Sequence, residues 1–544
     1  MAGEATAERV DVVIVGAGPT GLTAAHLCAR VGLSAIVVER RDGPQRSPAA
    51  HVVNARTFEI WRQAGVDMEP VLDQCLPPSE AGEVHWVTSL GGDVVGSLPF
   101  ERQGDEMLSV TPMPIRNLSQ HRLEPLLLSP DLDVRYGTTW KSMAAGDDRV
   151  TVEVDGPQGP SRIDASYLLA ADGAGSAVRR SLGIELTGPR TIQSFVMVHL
   201  GADFRSLVGD ATGVLYFLVD PGAGGPFVNH GADREWVFMH GWDPEAEPIE
   251  AFTEERCRGL VRAALADPTA EFEVLGISNW HMSAQVADAY RSGRSFLVGD
   301  AAHRFPPTGG LGLNTGVADV HNLVWKLAAV EAGWADPSIL DSYEAERRPV
   351  ARYNCDQSLA NAFKLIEVPI AFGFGDDPGD AARIIAEVLA DPARRAAVED
   401  AIAGQAIHFD LLGLQLGHVY DGPLVVGDGT DAVELDEPAR DYLPTTRPGG
   451  RLPHGWLADG TSTLDLVDIA FPTVLLRDGT EPPAVPAPAV ARTVDAGVWD
   501  HTFGIDGDLC LVVRPDQHVA ARCAVADVVD ILERLFPAPA EVVS

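Results

Sequence analysis

A glycine-rich turn near the N-terminus is the part of this sequence best suited to chemistry. The apolar run at 10–15 ends in GAGPTG at 16–21, a helix-like segment follows, and a second apolar run at 35–38 ends on Glu39. This order of strand, turn, helix and strand is typical of a dinucleotide-binding unit. The turn places backbone N–H groups at the positive end of a helix, where phosphates bind. The sequence therefore predicts a dinucleotide site.

Each position of this motif has its own task. Gly16 permits the tight turn, Gly18 lets a pyrophosphate approach the backbone, and Gly21 lets helix and strand pack closely. Glu39, at the tip of the second strand, is placed to hydrogen-bond an adenosine ribose. The motif does not distinguish FAD from NAD(P). The cofactor contacts predicted in this segment are Gly16, Gly18, Pro19, Thr20, Gly21, Glu39 and Arg40.

A second group of residues, far downstream, favours FAD. The short apolar run at 295–298 leads into Gly299-Asp300, where the carboxylate can accept hydrogen bonds from a ribityl or ribose hydroxyl. The Pro- and Gly-rich segment at 305–314 lets backbone approach a flat ring closely. It also opens a helix whose positive end would stabilise negative charge on a reduced flavin.

Composition excludes several classes of partner. The formal charge of −37 argues against nucleic acid and against an anionic membrane. No stretch reaches the roughly 18 apolar residues of a membrane span, and an acidic N-terminus does not fit a signal peptide. The six cysteines form no CxxC and no zinc spacing, which predicts a cytoplasmic protein without a metal site.

The 544 residues are too many for one core and predict three or four units in an α/β (α+β multidomain) chain. We expect a Rossmann-type FAD-binding domain over 8–187 and 280–345. An antiparallel middle sheet for substrate is predicted at 188–279, with part of 84–115, because aromatics alternate there. A helical connector at 346–420 and a C-terminal α/β domain at 425–544 follow.

Three ordered motifs resemble one known family. GAGPTG with Glu39, DGAGSAVR at 172–179 and GDAAHRFPPTGGLGLNTG at 299–316 are similar to the three signatures of the single-component (group A) FAD-dependent aromatic hydroxylases with the para-hydroxybenzoate hydroxylase fold. The segments RLPH at 451–454, STLDL at 462–466 and LVVRPDQH at 511–518 resemble the thioredoxin-like C-terminal domain of the phenol, chlorophenol and polyketide hydroxylase branch. Without CxxC, that domain is expected to serve packing or subunit contact.

The resemblance implies further cofactor residues. Asp300 would hold the ribityl chain, Leu313 and Asn314 the flavin pyrimidine edge, and Pro306 would lie above the flavin. Ordinary surface charge remains an alternative for Arg46 and Arg179. The cofactor residues implied in this way are Arg46, Gln120, Asp172, Arg179, Asp300, Gly310, Gly312, Leu313 and Asn314.

The family reaction is also implied. NADPH or NADH reduces the flavin, O2 forms a flavin C4a-hydroperoxide, and an electron-rich ring is hydroxylated, with ortho-hydroxylation expected for a phenol. A nearby proton acceptor assists because a phenolate is more nucleophilic than a phenol. His51, in the run HVVNART, occupies the place where phenol hydroxylases carry an acid, and an imidazole with a pKa near 6.5 suits the task. We predict His51 and Pro306 as catalytic residues, and a purely structural His51 is the alternative.

Substrate contacts are assigned to the middle sheet, at Tyr216 and Phe227. The expected partners are a small aromatic substrate, O2, NAD(P)H and further copies of the chain in a dimer or larger homo-oligomer. A hydroxylase of a larger polyketide or other natural product is the main alternative. A flavin oxidase or dehydrogenase, a non-catalytic binding relative and a flavin halogenase are further alternatives. The particular phenol and the choice between NADPH and NADH stay open.

Overall fold

The computed structural model describes residues 8–374 and 380–537. Residues 375–379 of the predicted connector and 538–544 of the predicted C-terminal domain lie outside the described residues. The strands are β1 (Glu8–Val15), β2 (Ala35–Val38), β3 (Val52–Val53), β4 (Glu83–Val87), β5 (Val94–Pro99), β6 (Arg116–Asn117), β7 (Asp133–Arg135), β8 (Thr139–Ala145), β9 (Val150–Gly156), β10 (Gly159–Ala170), β11 (Leu186–Thr187), β12 (Gln193–Gly201), β13 (Leu215–Leu218), β14 (Phe227–Asn229), β15 (Glu235–Trp242), β16 (Glu273–Met282), β17 (Gln285–Ala287), β18 (Arg291–Ser292), β19 (Ser295–Leu297), β20 (His303–Arg304), β21 (Thr473–Arg477), β22 (Val490–Val494), β23 (Leu509–Val513) and β24 (Val519–Ala524).

Helices connect and cover these strands. They are α1 (Pro19–Arg30), α2 (Ala55–Ala64), α3 (Met68–Asp73), α4 (Pro78–Ala81), α5 (Gln120–Leu126), α6 (Ala177–Ser181), α7 (Arg205–Val208), α8 (Glu254–Leu265), α9 (Leu311–Glu331), α10 (Ser342–Lys364), α11 (Glu367–Phe372), α12 (Ala381–Ala390), α13 (Pro392–Ala403), α14 (Leu412–Leu416), α15 (Ala496–Val498) and α16 (Val528–Leu535).

The first sheet has β1 at its centre. Its order is β18-β19-β10-β1-β2-β7, with β9 pairing with β10 and β8 with β9. β1 runs parallel to both β2 and β10, and β10 runs parallel to β19. The second half of β1 is an unbroken apolar run because both faces of a parallel sheet are covered by other elements. The Rossmann-type arrangement is confirmed, and it brings three glycine-containing turns to one sheet edge.

A second, seven-stranded sheet has the order β16-β12-β15-β14-β13-β4-β5. Side chains alternate between its two faces. We call the side that packs on α8 the outer face; it buries Tyr216, Phe227, Trp236 and Phe238. The other side, the inner face, carries Phe195, Val228, Val237 and Met239 and contacts Ala362 of α10.

The last sheet, with the order β22-β21-β23-β24, combines one parallel and two antiparallel pairings, and α16 packs on one face. This arrangement agrees with the predicted thioredoxin-like domain. The tip of the β23–β24 hairpin reaches α10, where Arg514 binds Glu346 at 2.6 and 2.7 Å. The exact domain boundaries stay predictions; β16 continues to Met282, beyond the predicted end of the middle domain at 279. Among the described helices, none is long and apolar enough to cross a membrane.

Candidate active site

The first and third motifs are in direct contact. Gly16 has φ +109°, and a Cβ at this position would lie 2.3 Å from the carbonyl oxygen of Ala171 at the end of β10, so only glycine fits the turn. Thr20 packs against both Gly299 and Gly316, where added Cβ atoms would lie 2.9 and 2.4 Å from its Oγ1. The two turns therefore form one surface at the carboxyl ends of the parallel strands.

This surface has room and donors for a phosphate. A Cβ added to Gly18 would meet no atom within 4 Å, whereas one at Gly21 would lie 2.0 Å from the Gly16 carbonyl oxygen. Helix α1 begins at Pro19 without a side-chain cap, so the N–H groups of its first turn remain available. Open space before free N–H groups suits a pyrophosphate.

Glu39 lies at the expected strand end and is held by its neighbours. Its carboxylate accepts hydrogen bonds from the Ala17 and Arg41 N–H groups, both at 2.9 Å. Burial alone would raise its pKa, but these bonds and the Arg41 guanidinium hold the pKa below its usual range. Arg41 also binds Glu124 at 3.2 Å, and Gln120 donates to the same carboxylate at 2.8 Å.

Arg41, which the sequence prediction passed over, is thus the arginine of this segment that contacts Glu39. Its neighbour Arg40, the predicted contact, is exposed. The missed signal was the pair Arg40-Arg41 directly after the strand, since only one of two adjacent side chains can turn inward. The proposed cofactor contact of Arg40 stays a prediction.

The arginines at 46 and 179 differ sharply in setting. Arg46 is 78% exposed and pairs with the equally exposed Asp42, as ordinary surface charge would. Arg179 is buried, and its Nε has no hydrogen-bond partner among the residues that the structure describes. Asp172 beside it accepts from the Ala177 and Val178 N–H groups at 2.7 and 3.1 Å, while its Oδ1 is buried without a partner. The second motif therefore holds two buried polar atoms, Arg179 Nε and Asp172 Oδ1, that have no partner within the described residues.

The third motif presents a carboxylate and a helix end together. Asp300 is exposed, and its Oδ1 would lie 3.9 Å from a Cβ atom added to Gly312. Desolvation by the surrounding protein raises the pKa of Asp300. Helix α9 begins at Leu311 after Gly310 with no side-chain cap. Its first-turn N–H groups, half-buried Leu313 included, can receive the electron-rich edge of a ring.

The side chain of Asn314 is already fully used by the protein. Its Oδ1 accepts from the Asn54 N–H at 3.0 Å and from Thr57 Oγ1 at 2.8 Å. Its Nδ2 donates to the carbonyl oxygens of Val52 at 3.0 Å and Gly310 at 2.6 Å. Only the backbone of Asn314 is therefore available to contact a flavin. The Asn314 side chain instead holds the 52–57 segment against α9.

The segment with His51 lies against the loop with Pro306. Gly310 has φ +62°, and a Cβ there would lie 2.5 Å from Cβ of Val52. Pro306 is buried, and Thr308 ties its loop to α10 by donating to the Ser358 carbonyl at 2.6 Å. The two predicted catalytic positions therefore flank one region, immediately beside the start of α9.

His51 is half-buried and has one defined partner. Its Nδ1 lies 3.1 Å from Asn117 Oδ1. With Nδ1–H donating to this oxygen, the tautomer leaves the Nε2 lone pair free to accept a proton. Burial lowers the pKa of His51 to about 4, against a smaller opposing effect of Asn117. The expected value near 6.5 is wrong for this setting, and His51 is neutral at pH 7.

Three further histidines and one glutamate meet next to His51; we call His51, His121, His199, His230 and Glu235 the histidine cluster. The rings of His51 and His230 lie 5.4 Å apart at 89°. Glu235 Oε1 lies 2.6 Å from His199 Nε2 and 3.0 Å from His121 Nε2. Arg122 of α5 forms an ion pair with the same carboxylate. The cluster joins the inner face to the FAD-binding domain.

The substrate contacts predicted at Tyr216 and Phe227 stay predictions, and the burial of both side chains argues against them. Both side chains are fully buried on the outer face, and the Tyr216 hydroxyl donates to the Ala211 carbonyl at 2.8 Å. Adjacent strand residues point to opposite faces, so their neighbours Leu215 and Val228 line the inner face instead. Alternation predicts the strands but not which of the two faces α8 covers.

His303 of the third motif is enclosed by the protein and bonded to a buried carboxylate. It is fully buried with its Nε2 2.8 Å from Asp319 Oδ2, and Asp319 also accepts from Arg347 Nε at 2.9 Å. Throughout residues 8–374 and 380–537, no three His, Cys, Asp or Glu side chains are grouped as a metal site would need.

Known proteins share both parts of this architecture. Residues 9–358 match the FAD binding domain family, and residues 445–539 match the aromatic-ring hydroxylase C-terminal family. The chain is 31% identical to a putative polyketide hydroxylase of Streptomyces halstedii, covering 95% of this chain and 94% of the relative. It is also 31% identical to 2,4-dichlorophenol 6-monooxygenase of Cupriavidus pinatubonensis, covering 97% and 96%.

A solved structure agrees with these relatives. The flavin-dependent monooxygenase PieE, crystallised with FAD and substrate, superposes with a TM-score of 0.90 at 32% identity, over 97% of this chain and 98% of PieE. The open phosphate surface at Gly18, the exposed Asp300 and the uncapped start of α9 fit the FAD that this family uses. The chain belongs to the FAD-dependent aromatic-ring hydroxylases.

Proposed function

We propose that this monooxygenase hydroxylates a phenolic ring, ortho to its hydroxyl group, and that His51 accepts the proton of that hydroxyl. The observation that carries the proposal is the position of His51. Its Nδ1 is bonded to Asn117, its Nε2 has no partner within the described part of the chain, and its segment packs on the Pro306 loop through Val52 and Gly310. A neutral imidazole with a free nitrogen is a suitable acceptor for a phenol proton.

A pKa of about 4 for His51 limits when it can act. A resting phenol, with a pKa of about 10, is too weak an acid to transfer its proton to such a base. The hydroxyl becomes strongly acidic once the ring has donated electrons to the incoming oxygen. We therefore place proton transfer during, and not before, attack by the ring, with His51 hydrogen-bonded to the hydroxyl until then.

Other residues hold the reactants. When bound, FAD would supply the activated oxygen, with NADPH or NADH as the reductant and O2 as the source of the oxygen atom. Asp300 would hold its ribityl chain, Gly18 and the start of α1 its pyrophosphate, and Glu39 its ribose. Buried Arg179, with its unpaired Nε, is our candidate for contact with NAD(P)H. Buried Pro306 would close the space above the ring and exclude water.

The two kinds of relative point to different substrates. A single-ring phenol remains our first candidate because the His51 segment resembles the segment in which phenol hydroxylases carry an acid. A larger aromatic polyketide is the second candidate, favoured by the wide apolar inner face with Phe195, Val228, Val237 and Met239. A cytoplasmic location, inferred from six free cysteines, and a homo-oligomer are further proposals.

Substitution of His51 tests the proposal. His51→Ala should retain FAD and anaerobic flavin reduction while hydroxylation slows by about 10²-fold, the lower end of general-base effects because the pKa is depressed. More NAD(P)H should be lost as hydrogen peroxide. Raising the pH toward the phenol pKa of about 10 should partly restore the rate, since solvent then supplies phenolate.

His281→Ala is the matched control because this exposed histidine lies in β16 of the same sheet and bonds only to polar neighbours. It should hydroxylate at the rate of the unmodified protein. Unchanged hydroxylation and coupling in His51→Ala at pH 7 would contradict the proposed role.

A further inference from the structure

His230 is the least explained member of the histidine cluster. Only 4% of the residue is exposed, yet neither ring nitrogen makes a hydrogen bond within the described residues. Buried polar groups are normally paired, so an unpaired buried imidazole calls for an explanation. Neither nitrogen is sealed off by protein, and the same holds for Nε2 of His51. The small exposed area of His230 thus includes its hydrogen-bonding atoms.

The backbone holds His230 firmly in this position. Its N–H donates to the Glu235 carbonyl oxygen at 3.0 Å, which continues the pairing of β14 with β15. Two residues after Val228, it lies on the inner face, where its ring meets the edge of His51 at 5.4 Å. The ring is therefore oriented by the sheet and does not depend on a side-chain partner.

The surroundings of His230 carry no free charge. The Glu235 carboxylate is neutralised by Arg122 and bound by His121 and His199. Burial, with the neighbouring His51, His121 and His199 adding to it and Glu235 opposing it, holds the pKa of His230 well below its usual range. Two neutral imidazoles with open nitrogens therefore lie side by side. Uncharged oxygen substituents suit such a pair, because they can accept from or donate to its ring nitrogens without bringing an unpaired charge into a buried site.

We propose that His51 and His230 together bind an aromatic ring with two nearby oxygen substituents, the reacting hydroxyl at His51 and a second hydroxyl or carbonyl oxygen at His230. This inference rests on the proposed function and deepens it by naming the substrate class. His230 would determine specificity: it binds the second oxygen, whereas His51 takes the proton. Simple phenols would leave the His230 nitrogens unpaired and bind less well.

Calorimetric titration of the FAD-loaded protein with matched ring pairs tests this inference without relying on turnover. Resorcinol is compared with phenol, and a dihydroxynaphthalene with a naphthol. The dissociation constant should be lower by about tenfold for the ring with two oxygens, the effect of one satisfied buried hydrogen bond. His230→Leu should abolish this difference and leave the affinity for the single-hydroxyl ring within about twofold.

Two further variants keep the result interpretable. His230→Gln retains a donor and an acceptor and should restore part of the preference, whereas His281→Leu, outside the site, should keep all of it. FAD content and circular dichroism check folding. A protein that does not distinguish the paired rings, or a His230→Leu variant that weakens both equally, overturns the inference.

Failure of the His51 proposal looks different. If hydroxylation survives in His51→Ala, His51 is not the base. If the preference for rings with two oxygens still depends on His230, the specificity role of His230 stands.

Discussion

Two buried polar clusters join domains of this protein, and they differ in how completely their groups are paired. The hairpin cluster, between α10 and the tip of β23–β24, consists of Lys326, Glu346, Arg514 and Asp516. Each of its charges has an opposite charge in contact: Glu346 binds Arg514 at 2.6 Å and Lys326 at 2.8 Å. The histidine cluster instead keeps two imidazoles with open nitrogens.

The difference shows what burial of polar groups can be used for. In the hairpin cluster, burial would raise the pKa of Glu346, but Arg514 and Lys326 lower it to about 2, so the charges stabilise one another. In the histidine cluster, burial lowers the pKa of His51 to about 4 and leaves it neutral. A saturated cluster fixes how domains dock, whereas an unsaturated one retains the capacity to bind a substrate.

Breaking the saturated cluster should produce the largest loss of stability. Arg514→Leu leaves Glu346 and Asp516 short of a partner in a fully buried setting, and we expect a loss of about 3–5 kcal/mol in the free energy of unfolding. Urea unfolding monitored by tryptophan fluorescence measures it. The control is Arg477→Leu in the same domain, because solvent reaches its pair with Asp500, which should contribute little to stability. Equal losses for the two variants would refute the contrast.

The nucleotide site, like the histidine cluster, contains polar groups without a partner within the described residues. Substitution of Asp300 tests its role there. Asp300→Ala removes an exposed carboxylate that we expect to accept a hydrogen bond from a ribityl hydroxyl of FAD. FAD affinity should therefore fall by about ten- to a hundredfold, or roughly 1.5–3 kcal/mol. Stability of the FAD-free protein should change little. Fluorescence titration of FAD measures the first quantity and urea unfolding the second. Unaltered FAD affinity would remove Asp300 from the site.

Sequence alone predicted the nucleotide half of the molecule well. Gly16, Gly18 and Gly21 are identified by a local pattern whose physical requirements are local too, and the structure places them as that pattern requires. The parallel strands and the C-terminal sheet followed from their apolar runs. Spacing over a few residues was enough because each of these features is determined by neighbours in the chain.

The substrate half depends on contacts between distant segments, which spacing over a few residues does not reveal. Tyr216 and Phe227 lie in strands as expected, but on the face that α8 buries, and the local sequence pattern does not show which face α8 covers. His230 and Glu235 were not singled out, since their partners His51 and His121 lie more than 100 positions away. The depressed pKa of His51 likewise arises from burial by other segments.

The pH dependence of stability should separate the two clusters. The folded pKa of His51 lies below that of the unfolded chain, so its contribution is complete above pH 6.5 and is lost as pH falls toward 4. The contribution of Glu346 to stability is complete above pH 4.5 and is lost as pH falls toward 2. His51→Gln should therefore reduce the loss between pH 6.5 and 4 by about 1–2 kcal/mol. An identical pH profile for variant and unmodified protein would contradict this assignment.

The smallest effect is expected for the cysteine pair of the C-terminal domain. Cys510 and Cys523 face each other across β23 and β24 with Sγ atoms 3.6 Å apart, at the end of the hairpin opposite the tip that meets α10. Cys510 packs among apolar residues and takes no part in either cluster. Replacing both with Ser should leave hydroxylation unchanged and cost less than about 1 kcal/mol of stability, because two small polar groups still face each other. Product formation and urea unfolding, with FAD content as the control, measure the two quantities. If turnover falls while FAD content and folding stay normal, the thiols act in the reaction. The C-terminal domain, which carries the hairpin cluster, would then do more than dock.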